Sequence, residues 1–232
     1  VELVGLEHRE LRLKAALDAV EREREKSDRL LLNILPAPVA EELKETGKSS
    51  PQYFPEATML FSDLVAFTEK SRTLGPEPLL AELDAIFSAF DGIMRVRGCE
   101  RIKTIGDAYF AVSGIPTPDP LHAKKMLAAA RDMVAWLRKR NETAEVKWEM
   151  RLGMHSGCAI AGIVGTDKYV YDVFGDSVNT AKRLESSSEP MRINVSERTA
   201  ELLGADVRLE PRGSVEVKGK GLMPMFFVSE GE

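Results

Sequence analysis

Two aspartates stand at the ends of apolar β runs. Asp63 follows Met59-Leu-Phe-Ser62, and Asp107 sits inside Arg101-Ile-Lys-Thr-Ile-Gly-Asp-Ala-Tyr-Phe110. The second stretch reads as strand, tight Gly-Asp turn and strand, a hairpin with a carboxylate at its tip. Such a carboxylate pair suits hard divalent cations, which take oxygen ligands. Two such ions held close together can activate an attacking oxygen and stabilise a leaving one. That chemistry points to a nucleotide. Further along, Asn179 and Arg183 are four residues apart, so they share one face of a helix.

The bulk properties narrow the field. The 232 residues suffice for one good-sized core plus an appendage. A net charge of −5 gives no electrostatic case for nucleic acid or an anionic membrane as partner. The two cysteines, Cys99 and Cys158, are isolated and read as reduced structural thiols, which suits a cytoplasmic setting. With three histidines, a His-based metal site is not expected. No run approaches the roughly 20 apolar residues of a membrane span. The chain does not begin with Met, so a fragment is expected, with a sensor or membrane domain upstream.

Residues 1–35 carry one helical pattern. Leu3, Leu6, Glu10, Leu13, Leu17, Val20, Arg24, Ser27, Leu31 and Ile34 alternate spacings of three and four. This a/d seam predicts a parallel dimeric coiled coil, weakened in the middle by Arg24 and Ser27. Pro36 and Pro38 end the helix, a short helix is expected over Val39–Leu43, and Thr46–Pro55 reads as a linker. Residues 36–55 thus form a transducer or linker, and 56–232 the globular domain.

In that domain the patterns predict a strand over 57–65, a short helix from Phe67 and a longer one over 77–96. That longer helix has Leu79, Leu80, Leu83, Ile86, Phe87, Phe90 and Ile93 on one face. The 100–113 hairpin, a helix over 122–140, and strands over 146–155 and 159–164 follow. A helix over 177–187, a strand over 192–195 and a short helix capped by Ser196 come next. Strands over 207–210, 215–218 and 225–228 close the chain. The order predicts an α+β fold, an α/β sandwich of the ferredoxin-like βαββαβ type. Its antiparallel hairpin would bring Asp107 beside Asp63.

Five stretches then carry a family resemblance: Phe61-Ser-Asp-Leu-Val-Ala-Phe-Thr68, Lys103-Thr-Ile-Gly-Asp107, Met150-Arg-Leu-Gly-Met-His-Ser-Gly157, Tyr171-Asp-Val-Phe-Gly-Asp-Ser-Val-Asn-Thr-Ala-Lys-Arg183 and Val217-Lys-Gly-Lys-Gly221. Residues 56–229 resemble the catalytic domain of class III nucleotidyl cyclases, the adenylyl and guanylyl cyclases. The N-terminal helix and Asn33-Ile-Leu-Pro36 resemble the signalling helix and transducer that precede many such domains.

The resemblance implies two Mg²⁺ or Mn²⁺ ions per active site, on Asp63, Asp107 and the Leu64 carbonyl. It implies ribose positioning by Asn179 and transition-state stabilisation by Arg183, whose fork is always charged and offers several donors. Arg151 and Lys218 align with phosphate-contacting residues. Phe67 and Thr68 open a helix, where backbone N–H groups can cradle phosphate. Base choice falls to Lys103 and Asp172. Lysine only donates and ionised aspartate only accepts, which matches the N1 acceptor and N6 amino donor of adenine. The reading is therefore an adenylate cyclase making 3′,5′-cyclic AMP and pyrophosphate. The alternatives are a guanylate cyclase and a catalytically silent nucleotide-binding dimer.

Three positions depart from the family pattern. Ala66 stands where Gly is usual, Phe174 where adenylyl cyclases often have Trp and guanylyl cyclases often have Phe, and Lys182 where a small Ser is common. His122 and His155 read as structural or exposed, Trp136 and Trp148 as packing residues. The resemblance also implies sites that straddle a homodimer. Asp63, Asp107 and Arg151 would come from one subunit; Lys103, Asp172, Asn179, Arg183 and Lys218 would come from the other.

Overall fold

A computed structural model describes residues 2–165, 169–217 and 219–229, with residues 2–10 as backbone alone. The chain divides into two compact units, one of residues 1–49 with 164–171, the other of residues 50–163 with 172–232. In the first, α1 (Glu2–Leu32) is a single long helix, and Ile34 of the expected seam lies beyond its end. Leu13, Leu17 and Val20 of the seam are all at least 60% exposed in the single chain. The prolines start a helix as much as they end one. Pro36 is the N-cap of α2 (Ala37–Thr46) and a Pro lies in its first turn, where a missing N–H breaks no helical bond. The linker is shorter than expected, because α2 reaches Thr46 and β1 already begins at Gln52.

The remaining elements follow in order: β1 (Gln52–Leu64), α3 (Phe67–Leu74), α4 (Pro76–Arg97), β2 (Glu100–Ile105), β3 (Ala108–Ser113), α5 (His122–Thr143), β4 (Met150–Val164), β5 (Val170–Phe174), α6 (Asp176–Ser186), β6 (Ile193–Ser196), α7 (Glu197–Leu203), β7 (Leu209–Val217) and β8 (Gly221–Val228). The strands form one sheet in the order β2-β3-β1-β4-β6-β8-β7, with β5 paired to β4. Its β2-β3-β1-β4 part is antiparallel throughout, which is the ferredoxin-like arrangement expected from the sequence. Two differences concern continuity. The strands expected over 146–155 and 159–164 are one strand, β4, and those over 207–210 and 215–218 merge into β7 across a bulge between Pro211 and Ser214. Small residues and Gly interrupt hydrophobic alternation without breaking a hydrogen-bonded ladder.

The pleat of β1 separates core from site. Alternate residues point to opposite faces. Leu60 and Leu64 join the main core with Phe90 of α4, Met126, Met133 and Leu137 of α5, and Tyr109 of β3. Phe61 points the other way and stacks on Phe110, ring centroids 4.4 Å apart. The apolar face of α5 is buried as a set: Met126, Leu127, Ala130, Met133, Val134 and Leu137. On α4, Leu80 is the exception, at 69% exposure. Trp148 is wholly buried, with Nε1 donating to Glu82 Oε2 at 2.8 Å.

His122 and His155 are structural. Thr58 Oγ1 bonds His122 Nδ1 at 2.6 Å and Ser156 Oγ at 2.8 Å; Ser156 meets Thr199 at 3.0 Å, Thr199 meets Ser196 at 3.1 Å, and Ser196 meets His155 at 2.8 Å. Burial lowers the pKa of both histidines, His155 to about 4. Cys99 is buried and Cys158 exposed, both as free thiols. No helix among the described residues is long and apolar enough to cross a membrane.

Candidate active site

A cavity of about 450 Å³ opens on the Phe61 face of the sheet, lined by Asp63, Lys103, Asp107, Asp172, Phe174, Asn179 and Lys182 among others. Each residue is delivered by a local rule. Asp63 is the next-to-last residue of β1 and pairs in register with Arg151 of β4. Asp107 sits in the two-residue turn between Ile105 and Ala108, where Gly106 takes φ +64°. That conformation costs a glycine nothing. Because Ser62 pairs with Tyr109, the hairpin tip falls beside the end of β1. The two carboxylates meet there: burial, then the neighbouring Asp63, push the Asp107 pKa up to about 6.

Two acidic groups that repel one another at a cavity wall form a donor set suited to a hard cation. Among the described residues no three His, Cys, Asp or Glu side chains gather as a metal cluster. An ion held by the two carboxylates would complete its shell with water and substrate oxygens, as Mg²⁺ commonly does.

At the other end of the cavity, Lys103 Nζ donates to Asp172 Oδ2 at 2.5 Å. The other carboxylate oxygen of Asp172 accepts from the Val173 N–H at 2.9 Å. The acceptor is thus fixed by backbone, and the donor is aimed at it. Asn179 projects from α6 into the same space. Arg183, one turn on, does not line the cavity. Its guanidinium lies against Gly219, in the turn between β7 and β8. Lys218 lies outside the described residues. Lys220 pairs with Asp176 at the start of α6.

Ala66, which stands where the resemblance leads one to expect Gly, is strained. This residue is the N-cap of α3 with φ +56°, a left-handed conformation unfavourable for any residue bearing a Cβ. No side chain caps α3, so its first N–H groups are open to a ligand. Phe67 packs against Trp148, with ring centroids 6.0 Å apart, while Thr68 is exposed.

A charge cluster beneath Asp63 was only partly visible in the sequence. Glu185 has a fully buried side chain and pairs with Arg151 Nε at 3.2 Å and Lys182 Nζ at 2.8 Å. Lys182 also reaches Asp63 Oδ2 at 3.2 Å, and Arg151 Nη2 lies 3.8 Å from the same oxygen. Glu185 three residues after Lys182 was the available signal; that both meet Arg151 of β4 depends on how α6 is laid on the sheet. Gly153 permits that closeness, since a Cβ there would stand 2.0 Å from the Glu185 nitrogen.

Residues 50–230 match the family model described as the adenylate and guanylate cyclase catalytic domain. The chain belongs to this family. An adenylate cyclase of Mycobacterium tuberculosis is 39% identical over 220 residues, covering 94% of this chain and 50% of that protein. Retinal guanylyl cyclase 1 of Mus musculus is 36% identical over 222 residues, covering 93% of this chain and 20% of that protein. The chain therefore spans about half the length, or less, of these cyclases. Among solved structures, the guanylate cyclase domain of RhGC from Catenaria anguillulae in complex with GTP superposes with a TM-score of 0.75 at 30% identity, covering 78% of this chain and all of that one. The adenylyl cyclase CyaB from P. aeruginosa gives 0.73 at 26% identity, covering 79% and 98%. Cyclases for both bases thus resemble this chain to similar degrees.

Proposed function

We propose that this domain is an adenylate cyclase, converting ATP to 3′,5′-cyclic AMP and pyrophosphate for intracellular signalling. The observation that carries this reading is one cavity with a carboxylate pair at one end and the Lys103–Asp172 donor–acceptor pair at the other. Lys103 donates to adenine N1 and Asp172 accepts from the N6 amino group. Guanine presents the opposite sense, an O6 acceptor and an N1–H donor, and would leave both side chains facing like groups.

Asn179 orients the ribose so that its 3′-oxygen faces the α-phosphorus. The P–O bond to pyrophosphate breaks as the new ester forms. Arg183 meets the negative charge that develops on the α-phosphate. Arg151, Lys218 and the opening N–H groups of α3 at Phe67 and Thr68 hold the triphosphate. Asp63, Asp107 and the Leu64 carbonyl would hold two Mg²⁺ or Mn²⁺ ions, which would supply Lewis acidity to the 3′-hydroxyl and to the phosphates.

The working unit is a homodimer. Within one chain Lys103, Asp172 and Asn179 line the same cavity as Asp63 and Asp107, whereas Arg183 lies against Gly219 outside it; in the dimer that the resemblance implies, Lys103, Asp172, Asn179, Arg183 and Lys218 of one subunit face Asp63, Asp107 and Arg151 of the other. Phe174 and Ile105 line the cavity and are about half exposed, an apolar rim suited to a second subunit. The exposed Leu13, Leu17 and Val20 of α1 extend the dimer as a coiled coil that couples an upstream sensor or membrane domain to the catalytic pair. We place the domain in the cytoplasm, where the nucleotide pool is.

The deciding experiment is chromatographic product analysis with ATP or GTP, each with Mg²⁺ or Mn²⁺, with Asp107→Ala as blank. Cyclic AMP in large excess, lost in the variant, supports the reading. Dominant cyclic GMP sinks the base assignment. Nucleotide binding without a cyclic product favours the silent dimer.

A further inference from the structure

Lys182 stands where the resemblance leads one to expect a small side chain, and its position gives it a task. Its ammonium lines the same cavity as Asp63 and Asp107. It lies 3.2 Å from Asp63 Oδ2, 2.8 Å from Glu185 Oε2 and 5.7 Å from the centre of the Phe61 ring. Asp63 offers the cavity two oxygens. One of them already accepts from a cation, with Arg151 3.8 Å away on the same oxygen. A divalent ion shared by Asp63 and Asp107 needs that carboxylate and is repelled by an ammonium at hydrogen-bond distance from it.

We propose that Lys182 is an internal counter-cation for Asp63, so that divalent metal enters by exchange with the lysine ammonium, which falls back on Glu185. The proposal rests on the reading of Asp63 and Asp107 as metal ligands. Glu185 makes the exchange feasible. Its carboxylate is fully buried, held in place by Arg151, and already bonded to Lys182 from the preceding turn of the same helix. On losing Asp63 the ammonium keeps one of its two carboxylate partners and is never left unpaired in a half-buried site. Without metal, the lysine keeps the carboxylate neutralised and oriented. With metal, the retreating ammonium remains close enough to weaken the ion's hold. Lys182 is thus a positioning residue that sets the metal requirement of the site.

The test is direct Mn²⁺ binding without nucleotide, read as free Mn²⁺ by electron paramagnetic resonance at pH 7.5 and fixed ionic strength. Wild type, Lys182→Met, Lys182→Arg and Asp63→Asn are compared, with circular dichroism confirming that each is folded. Removing a partly exposed positive charge next to the ion corresponds to about tenfold tighter Mn²⁺ binding in Lys182→Met. Lys182→Arg keeps the charge and stays near wild type. Unchanged or weaker binding in Lys182→Met overturns the proposal and leaves Lys182 as an ordinary stabilising ion pair. Equal tightening in both lysine variants overturns it as well, because the charge would then not be the cause. If Asp63→Asn binds Mn²⁺ as wild type does, the ion is elsewhere and the metal-ligand reading falls together with the proposal.

Discussion

Lys103→Glu is the sharpest single perturbation of the base-binding end. In the native protein Lys103 Nζ is 2.5 Å from Asp172 Oδ2, and the Asp172 side chain is only 12% exposed. Opposite unit charges about 4 Å apart attract by ~4 kcal/mol at an effective dielectric constant near 20. The lysine side chain is 36% exposed, so solvent reduces this to about 1–2 kcal/mol. Glutamate replaces the attraction with a repulsion of similar size. The swing of about 2–4 kcal/mol falls on the groups that must face adenine, and corresponds to a loss of roughly 30- to 1,000-fold in kcat/KM for ATP. The single variant gains no GTP activity, because Asp172 still presents an acceptor to the guanine O6. Adding Asp172→Cys removes that clash, so the double variant turns over GTP better than ATP. The assay is kcat/KM for both nucleotides in wild type, both single variants and the double variant, analysed as a cycle for non-additivity. The reasoning fails if Lys103→Glu leaves ATP turnover within about threefold of wild type, or if it prefers GTP without the second change.

Other outcomes follow from the same geometry. Asp107 has its pKa raised to about 6, so protons compete with metal below that pH; Mn²⁺ affinity should fall about tenfold per pH unit below 6 and level off above 7, as read by calorimetric titration. His155 is held neutral by burial, with a pKa of about 4 against an ordinary 6.5. The unfolded chain therefore binds the extra proton first, and this contribution is complete above pH 6.5 and disappears as pH falls toward 4. Urea unfolding should show about 2–3 kcal/mol lost across that window, with a flatter profile in His155→Gln. Gly153→Ala drives a methyl group into the α6 backbone at Glu185, and should cost about 3 kcal/mol in thermal unfolding and shift α6 enough to lower cyclase activity. Deleting residues 1–35 should make specific activity rise with protein concentration, as expected when dimerisation rests on the catalytic domains alone; activity independent of concentration, with unchanged dimer affinity, would remove the coiled coil from the account.

Much of the fold was legible because it is written in local periodicity. The α5 face repeats at helical spacing, and the alternation in β1 separates Leu60 and Leu64 from Phe61 and Asp63. The Gly106-Asp107 turn announces its own hairpin, and its register with β1 delivers the carboxylate pair. Less was legible where continuity depends on ladder bonds. The chain of small residues through 156–162 gives no alternation, yet β4 runs through it unbroken, paired to β1 along its length. Ala66, at a position where the resemblance leads one to expect Gly, takes the left-handed φ that a glycine would hold freely.

The sequence by itself determined the class of fold, and it supplied the expectation of a metal-type aspartate pair and a donor–acceptor pair at Lys103 and Asp172, which the structure brings to one cavity. Residue type and short-range spacing specify these, through side-chain chemistry and the periods of helix and strand. Tertiary structure alone decided which charges meet. Asp63, Arg151, Lys182 and Glu185 come from β1, β4 and α6, and they touch because Gly153 lets α6 lie close against the sheet. Nothing in local periodicity encodes a contact between residues more than a hundred positions apart. Coulomb energy depends on separation in space, so the electrostatics of the site had to wait for the packing that sets it.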